Sequence, residues 1–376
     1  MERLMGFPLV LAALATTAHA EEMSLSTAHY ELNLVPVAEN LESPWGMAVL
    51  PGELFVISER TGQIQTFYNG ERQEIGGLPG IHVEGQGGLL DIAASPDYPD
   101  TGWLYFTYSS GDEDSTATAL ARGRLAGDRL VDVEELFEQN RRSEPGSNAG
   151  SRLAWMGDDT LLMSVGDRNS PERAQDTQDH AGSILRLDPQ GLAPENNPLL
   201  EEAGYLPELY SWGHRHVLGL AVDETRNNVW AVEARGNGHD ELIRLHRGEN
   251  HGWPEASNGG QGNGSDILEA VASSELFTEE EVIEPAYRFP EDVAPSGLAV
   301  VNGEHYPDWQ GNLLVGGLES EQLYRFEVNG SDISDMEELL DETQGPVREV
   351  RQGPDGYLYV LIGDESGTLY RLEPEE

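Results

Sequence analysis

Several loops of this sequence combine glycine with polar side chains, a composition typical of binding or catalytic loops. They lie at 85–88 (GQGG), 148–152 (NAGSR), 213–216 (GHRH), 240–241 (DE) and 250–254 (NHGWP). Arg215 can bind an anion or simply pair with a neighbouring carboxylate. Glu241 offers calcium the carboxylate oxygens that it favours, with a rim charge as the alternative. His251 and Trp253 are interpreted as packing residues. The chain contains no cysteine, which excludes thiolate metal sites, disulfides and Cys nucleophiles.

The charge balance excludes two classes of partner. The 376 residues include 68 acidic and 22 basic ones, every basic residue is arginine, and the formal net charge is −46. A polyanion has no electrostatic attraction to nucleic acid or to anionic lipid, so we expect neither as a partner. An acidic chain without lysine is typical of adaptation to salty surroundings, where a Debye length of ~3 Å at 1 M salt screens self-repulsion.

The first twenty residues have the pattern of a cleavable signal peptide. Arg3 precedes an apolar stretch at 4–15, and Ala18-His19-Ala20 supplies the small residues of a cleavage site. No later stretch approaches the roughly 20 apolar residues that a membrane span needs. We therefore expect cleavage near Ala20 and a periplasmic or secreted protein, without membrane insertion, formed by a single domain over 21–376.

A repeated pattern of short apolar strands and Gly, Asp or Pro turns predicts the fold. Six copies begin at Trp45, Gly88, Arg152, Gly219, Gly297 and Val350. Their spacing of 43 to 78 residues suits four-stranded blades with loop insertions, and so predicts an all-β, six-bladed β-propeller. A β-sandwich with appended domains is the alternative, which six near-equivalent units disfavour.

The ends of the chain indicate how the ring closes. The last copy shows only three strands, whereas a strand at 31–37 precedes the first copy and has no blade of its own. We expect this strand to pair with the last blade, because closing the ring removes an exposed edge. Acidic insertions at 130–144 and 265–285 are predicted to be surface loops or short helices.

The ordered set of motifs resembles the soluble glucose/sorbosone dehydrogenases over nearly the whole mature chain. The motifs are at 44–48 (PWGMA), 85–91 (GQGGLLD), 95–98 (SPDY), 165–167 (VGD), 174–176 (AQD), 196–198 (NNP), 213–215 (GHR), 240–242 (DEL), 250–254 (NHGWP) and 294–297 (APSG). The resemblance implies a six-bladed propeller that oxidises aldose sugars with pyrroloquinoline quinone (PQQ) and calcium. Expected partners are a sugar substrate and a soluble or membrane-bound electron acceptor, with a homodimer as one assembly.

Four residues match the family's functional positions. The resemblance implies that Gln86 lies near the sugar and the cofactor, and that Asp167 orients the catalytic base. It also implies that Arg215 contacts the quinone oxygens and that Arg348 is the second arginine of an Arg-x-Arg pair on the cofactor. In this interpretation the protein supplies orientation, a base and charge, while the cofactor carries the redox chemistry.

Other positions depart from the family. Asn148 replaces the histidine base, and an amide cannot accept a proton in water. Glu319 stands at the family lysine, Pro346 at the first arginine of the pair, and Arg235-Gly236 at the Gly-Pro step whose carbonyls bind the cofactor calcium. A Glu319 carboxylate about 4 Å from a cofactor carboxylate would cost ~4 kcal/mol at an effective dielectric near 20, roughly three decades of affinity.

Two hypotheses follow. In the first, the protein is a PQQ-dependent aldose dehydrogenase in which His216, where the family carries asparagine, has become the base, and Asn148 holds a sugar hydroxyl. The alternative for His216 is a supporting or packing role. In the second, the departures reflect a non-redox propeller that has lost PQQ and binds a carbohydrate or protein ligand in the same channel.

Overall fold

The computed structural model describes residues 23–236, 240–254, 282–340 and 345–375. The regular structure of these residues is almost entirely antiparallel β-sheet, with one α-helix, α1 (Tyr98–Thr101), and 3₁₀ turns at Pro171–Gln175 and Pro307–Trp309. No helix in these ranges has the length and hydropathy needed to cross a membrane. The predicted signal peptide lies outside the described residues.

Six sheets form the blades of a propeller, which we number in chain order. Blade 1 contains β3 (Pro44–Leu50), β4 (Leu54–Glu59), β5 (Gln63–Tyr68) and β6 (Glu71–Ile75), and blade 2 contains β7 (Leu89–Ala94), β8 (Trp103–Gly111), β9 (Thr116–Ala126) and β10 (Arg129–Glu138). Blade 3 contains β11 (Gly150–Trp155), β12 (Leu161–Val165), β13 (Ser183–Leu187) and β14 (Leu209–Trp212), and blade 4 contains β15 (Val217–Asp223), β16 (Asn228–Glu233), β17 (Glu241–Arg244) and β18 (Tyr287–Arg288). Blade 5 contains β19 (Pro295–Val300), β20 (Leu313–Gly317), β21 (Leu323–Asn329) and β22 (Asp332–Glu338), and blade 6 contains β23 (Val347–Gln352), β24 (Leu358–Ile362), β25 (Gly367–Pro374), β2 (Glu31–Leu41) and β1 (Met23–Ser26).

The ring closes through the N-terminal strand, as predicted. The first strand of each blade contacts the first strands of both neighbouring blades, so β3, β7, β11, β15, β19 and β23 surround the axis. Strand β2 pairs antiparallel with β25, with Leu34 opposite Leu372, and β1 adds a fifth strand outside it. The sequence prediction of a six-bladed propeller is therefore confirmed.

Apolar side chains pack between neighbouring blades. At the junction of blades 1 and 2, for example, Val56, Ile92 and Phe106 are fully buried in one cluster. Similar clusters fill the other five junctions among the described residues. Since full burial of such a side chain contributes about 1.5–3 kcal/mol, these junctions fix the relative position of the blades.

A buried ionic network fills the axis between the innermost strands. Arg152 pairs with Glu349, and Arg351 lies 3.2 Å from Asp91 and 3.5 Å from Glu349. Further hydrogen bonds run from the two arginines to Met47, Ile92, Leu218, Ser296 and Arg348. We call the four charged residues the axial network; they are Asp91, Arg152, Glu349 and Arg351. Their contacts involve all six inner strands.

One prediction about the insertions is wrong. Residues 129–138 form β10, the outermost strand of blade 2, instead of a loop or short helix, and Leu130 lies opposite Leu125 of β9. Of the ten residues only Leu130 is buried, and the exposed glutamates suit an outer edge because charges discourage pairing with another chain. Most of the second insertion, residues 265–281 of 265–285, lies outside the described residues.

Candidate functional site

The strand directions bring loops from all six blades to one end of the axis. The second strand of each blade runs antiparallel to the first, so its last residues lie beside the first residues of the innermost strand. Pro44 lies opposite Glu59 in blade 1, for example, and Val217 lies opposite Glu233 in blade 4. A cavity of about 510 Å³ opens among these loops, within the range of about 300–1,000 Å³ typical of small-molecule sites.

The cavity gathers most of the residues predicted from the sequence. Seven of them line it, namely Gln86, Asn148, Arg215, His216, Gly236, Glu319 and Arg348. Asp167 is buried behind Asn148, whereas Arg235 and Glu241 are buried in the blade 4 wall, away from the lining. Pro346 is not a lining residue.

Asn148 is the centre of a hydrogen-bonded wall. Its backbone has φ 41°, a left-handed conformation in which asparagine and histidine are enriched. Its Nδ2 donates to Asp167 Oδ1 at 2.8 Å, and its backbone N–H donates to Gln86 Oε1 at 2.7 Å. The other oxygen of the Asp167 carboxylate, Oδ2, accepts a hydrogen bond from Trp253 Nε1 at 2.9 Å. Burial raises the pKa of Asp167, although these hydrogen bonds favour its charged form.

His216 lies on the adjoining part of the wall and is only 6% exposed. Its Nδ1 accepts the Gly150 N–H at 3.3 Å, so the neutral ring carries its proton on Nε2 and acts there as a donor. Burial, followed by the positive charges of Arg215 and Arg348, lowers the pKa of His216 to about 3. Both features make the imidazole a weak base, and they favour the supporting role over the predicted catalytic one.

Three arginines give the inner part of the cavity a positive charge. Arg60, Arg215 and Arg348 line it, and Arg215 Nη1 donates to Ala234 O at 2.9 Å. Among the described residues, Arg348 Nε is buried without a hydrogen-bond partner, and the nearest carboxylate, Asp364, is 3.7 Å from Nη2. Burial and the nearby Arg152 lower the pKa of Arg348 to about 10. A partly buried guanidinium with an unsatisfied Nε is suited to bind an anionic ligand.

Carboxylates occupy the outer part of the same cavity. Asp292 and Glu319 are exposed lining residues, and the side chain of Asp364 is 56% exposed. Glu319 therefore borders the cavity from its solvent side, where water screens its charge. The site has a cationic interior and an acidic rim.

Comparisons with known proteins agree with this architecture. Residues 41–371 match the sequence profile described as Glucose / Sorbosone dehydrogenase. The chain is 35% identical to an uncharacterised protein of Synechocystis, over 91% of this chain and 87% of that protein. It is 32% identical to the aldose sugar dehydrogenase YliI of Escherichia coli, over 91% and 93% respectively.

The structural likeness extends over the same part of the chain. The PQQ-bound form of aldose sugar dehydrogenase from Streptomyces coelicolor superposes with a TM-score of 0.74 at 28% identity, covering 93% of this chain and 99% of that one. The chain belongs to the glucose/sorbosone dehydrogenase family. The resemblance inferred from the ordered motifs is thereby confirmed.

The side chains at the family's calcium position do not fit a calcium ion. Arg235 is 3% exposed, and its guanidinium lies between Glu233 and Glu241, so these carboxylates already have a cationic partner. Arg288 lies 3.2 Å from Glu241 as well. Among the described residues, no cluster of three or more His, Asp or Glu side chains has a metal-binding arrangement. The positive charge that a calcium ion would bring to these carboxylates is therefore already supplied by arginine.

The family's cofactor fits better, because the interior arginines and Gln86 offer several donors to an anionic quinone.

Two residues that line the cavity were not predicted. Arg60 directly follows the second strand of blade 1, whereas Asp364 lies two residues after the second strand of blade 6, as Glu319 does in blade 5. Aligning the six copies on these strand ends would have identified Asp364 from Glu319, and Arg60 as the residue next to the strand end.

Proposed function

We propose that the protein is an exported quinoprotein that oxidises aldose sugars at the anomeric carbon with PQQ. The reduced cofactor would pass its electrons to an external soluble or membrane-bound acceptor. The observation that carries the proposal is the cationic interior of the cavity, with the unpartnered Nε of Arg348, in a member of the glucose/sorbosone dehydrogenase family.

The arginines provide the binding contacts. Arg60, Arg215 and Arg348 would hold the carboxylates and carbonyl oxygens of PQQ, because a guanidinium presents several N–H donors in a plane and keeps its charge. Gln86 is held in the lining by the Asn148 N–H, which leaves its amide nitrogen to donate to a ligand. When bound, PQQ supplies the acceptor for the two electrons and the hydrogen removed from the sugar.

The Asn148 wall would position the sugar. Since Asn148 Nδ2 is engaged by Asp167, its carbonyl oxygen is available to accept a hydrogen bond from a sugar hydroxyl. The carboxylate thus fixes the orientation of the amide. The burial of His216 and its hydrogen bond from Gly150 favour a supporting role, and the variants described in the Discussion test whether it acts as the base.

The decisive experiment is an activity assay on reconstituted protein. The purified full-length mature protein is mixed with PQQ, and reduction of an artificial electron-acceptor dye is followed with a panel of aldoses. We expect aldose-dependent reduction that requires PQQ and is lost in Arg348→Met. Arg124→Met is the matched control, because Arg124 lies on the outer part of blade 2 and pairs with the exposed Asp132.

A second candidate function remains a competing outcome of this assay. Asn148 in place of a histidine base is the observation that favours a non-redox propeller. Binding of an aldose without dye reduction, together with no binding of PQQ, would contradict the proposed dehydrogenase and support that alternative. Export is tested separately: the N-terminus of protein recovered from the periplasm or medium should follow Ala20.

A further inference from the structure

The guanidinium of Arg235 occupies an oxygen-rich site inside blade 4. Arg235 is the second residue after the end of β16 and is 3% exposed. Its Nη1 lies 3.1 Å from Glu241 Oε2, its Nε lies 3.3 Å from Glu233 Oε1, and its Nη2 donates to the His251 carbonyl at 3.0 Å. The three partners are two carboxylates and one backbone carbonyl.

This set of oxygens is one that a calcium ion would favour, since calcium prefers carboxylates and backbone carbonyls. Here the positive charge belongs to the protein itself. The pKa of Arg235 is raised by Glu233 and then Glu241, which outweigh its burial, while Arg235 and His214 hold the pKa of Glu233 down at about 2. The Arg235–Glu233 pair is thus ionised at neutral pH, whereas burial raises the pKa of Glu241 to about 7.

The same group supports the wall of the cavity. Glu233 Oε1 accepts the backbone N–H of Arg215, whose guanidinium lines the cavity. Asp240, the next carboxylate in the wall, accepts N–H groups of Arg235 and Gly236 at 2.8 and 3.0 Å. Its other oxygen accepts the N–H groups of Val293 and Ala294 at 3.0 and 2.8 Å.

Removal of the Arg235 charge would leave Glu233 facing Glu241 in a buried site. Breaking a buried ion pair by removing one partner is strongly destabilising, because it leaves an uncompensated charge. The backbone that carries Arg215 depends directly on Glu233. Arg235 is therefore a positioning residue for the cofactor wall, although it does not touch the cavity.

We propose that Arg235 is a built-in cation that replaces calcium in this protein, so that neither the fold nor the binding of PQQ requires the metal. Only the part that concerns PQQ rests on the proposed function. The calcium independence of the fold can be measured without any cofactor.

The first experiment compares the full-length mature wild-type protein in three buffers: EDTA, calcium chloride, and magnesium chloride at equal ionic strength. Magnesium controls for the general screening of a chain with a net charge of −46. We expect the same melting temperature in calcium as in magnesium, and PQQ dissociation constants in calcium and EDTA that agree within about twofold. Stabilisation by calcium beyond that by magnesium, or binding of PQQ at least about tenfold weaker in EDTA, would overturn the proposal.

The second experiment uses Arg235→Gln, with Arg244→Gln on the neighbouring strand β17 as the matched control. We expect Arg235→Gln to melt below the wild type in EDTA and to recover part of the loss with calcium but not with magnesium. Arg244→Gln should show no calcium-specific change. An Arg235→Gln protein that melts like the wild type in EDTA, or that calcium does not restore, would overturn the proposal.

The two proposals fail in different ways. If PQQ binds in none of the three buffers, the proposed function is contradicted, while the melting temperatures still decide the role of Arg235. If Arg235→Gln does not fold, the melting temperatures and PQQ affinities of the wild-type protein in the three buffers decide whether calcium is required.

Discussion

The axial network and the adjoining cavity both contain arginines, but among the described residues only the network pairs its arginines closely with carboxylates. Arg152 of the axial network pairs with Glu349 and donates to Arg348 O at 2.9 Å. Arg348 itself lines the cavity, and within the described part of the chain its Nε has no hydrogen-bond partner and its nearest carboxylate is 3.7 Å away. The contrast indicates that Arg152 serves the fold, whereas Arg348 is held ready for a ligand.

Removing the charges of Arg152 and Arg348 in turn tests whether the two arginines differ in their role. We expect Arg152→Met to lose about 3–5 kcal/mol of unfolding free energy, because Glu349 is left buried without its main partner. Arg348→Met should change stability little, since the fold already holds that cation without a close partner. Urea denaturation of both variants measures the difference. Equal losses would show that the two arginines do not differ in this way.

The next largest effect concerns the base. We expect Asn148→His to raise kcat for aldose oxidation by about 10²-fold or more, the range of general base catalysis. The backbone at φ 41° accepts histidine, and Asp167 is in place to accept its N–H. The gain should grow with pH as the new imidazole loses its proton, whereas Asn148→Ala should show no such dependence. An unchanged kcat in Asn148→His would place residue 148 away from the reacting hydroxyl.

The sequence predicted the fold and much of this site, for different reasons. The period of the repeats determined the number of blades, and the isolated strand at 31–37 determined the closure, because both are patterns of local hydrophobicity. Gln86, Asn148 and Arg215 could be assigned to one wall because the ordered motifs carry them.

The paired state of the charges could not be predicted. Nothing in the order of residues shows that Arg235 points inward to Glu233 and Glu241, or that Trp253 donates to Asp167 instead of only packing. These contacts join residues from different strands and loops, and they depend on side-chain direction. The strand β10 was missed because a series of acidic residues on an outer edge resembles a solvated loop.

A smaller effect is the pH dependence due to His216, which is surrounded by Arg215, Arg348, Arg168 and Glu233. Since its pKa is about 3 in the fold and about 6.5 when unfolded, the unfolded state takes up the extra proton below pH 6.5. Its contribution to stability is complete above pH 6.5 and is lost as the pH falls toward 3, at about 1.4 kcal/mol per pH unit.

His216→Gln should therefore lose less stability than the wild type between pH 6.5 and 5.5, as measured by urea denaturation. Identical pH profiles would contradict a buried neutral imidazole. Turnover of His216→Ala tests the base separately: near-parental kcat is the result that the hydrogen bond from Gly150 favours. A fall of about 10²–10⁴-fold would instead support the relocated base.

The smallest effect belongs to the acidic rim. We expect Glu319→Gln to tighten PQQ binding by about fivefold, since a like charge near 4 Å in water costs about 1 kcal/mol. The gain should shrink at 1 M salt, where the Debye length is ~3 Å. Glu327→Gln, an exposed residue of β21, is the control. A gain of three decades would show that Glu319 faces the cofactor directly instead of bordering it from solvent.

We infer that the arginines lining the cavity bind an anionic cofactor. Calorimetric titration of PQQ into the wild-type apoprotein and into folded Arg348→Met, without added calcium, tests it most directly. We expect saturable binding at one site in the wild type and binding at least about tenfold weaker in the variant, because a charge-assisted contact is lost. Absence of binding in the wild type, or equal affinity in the two proteins, would contradict it.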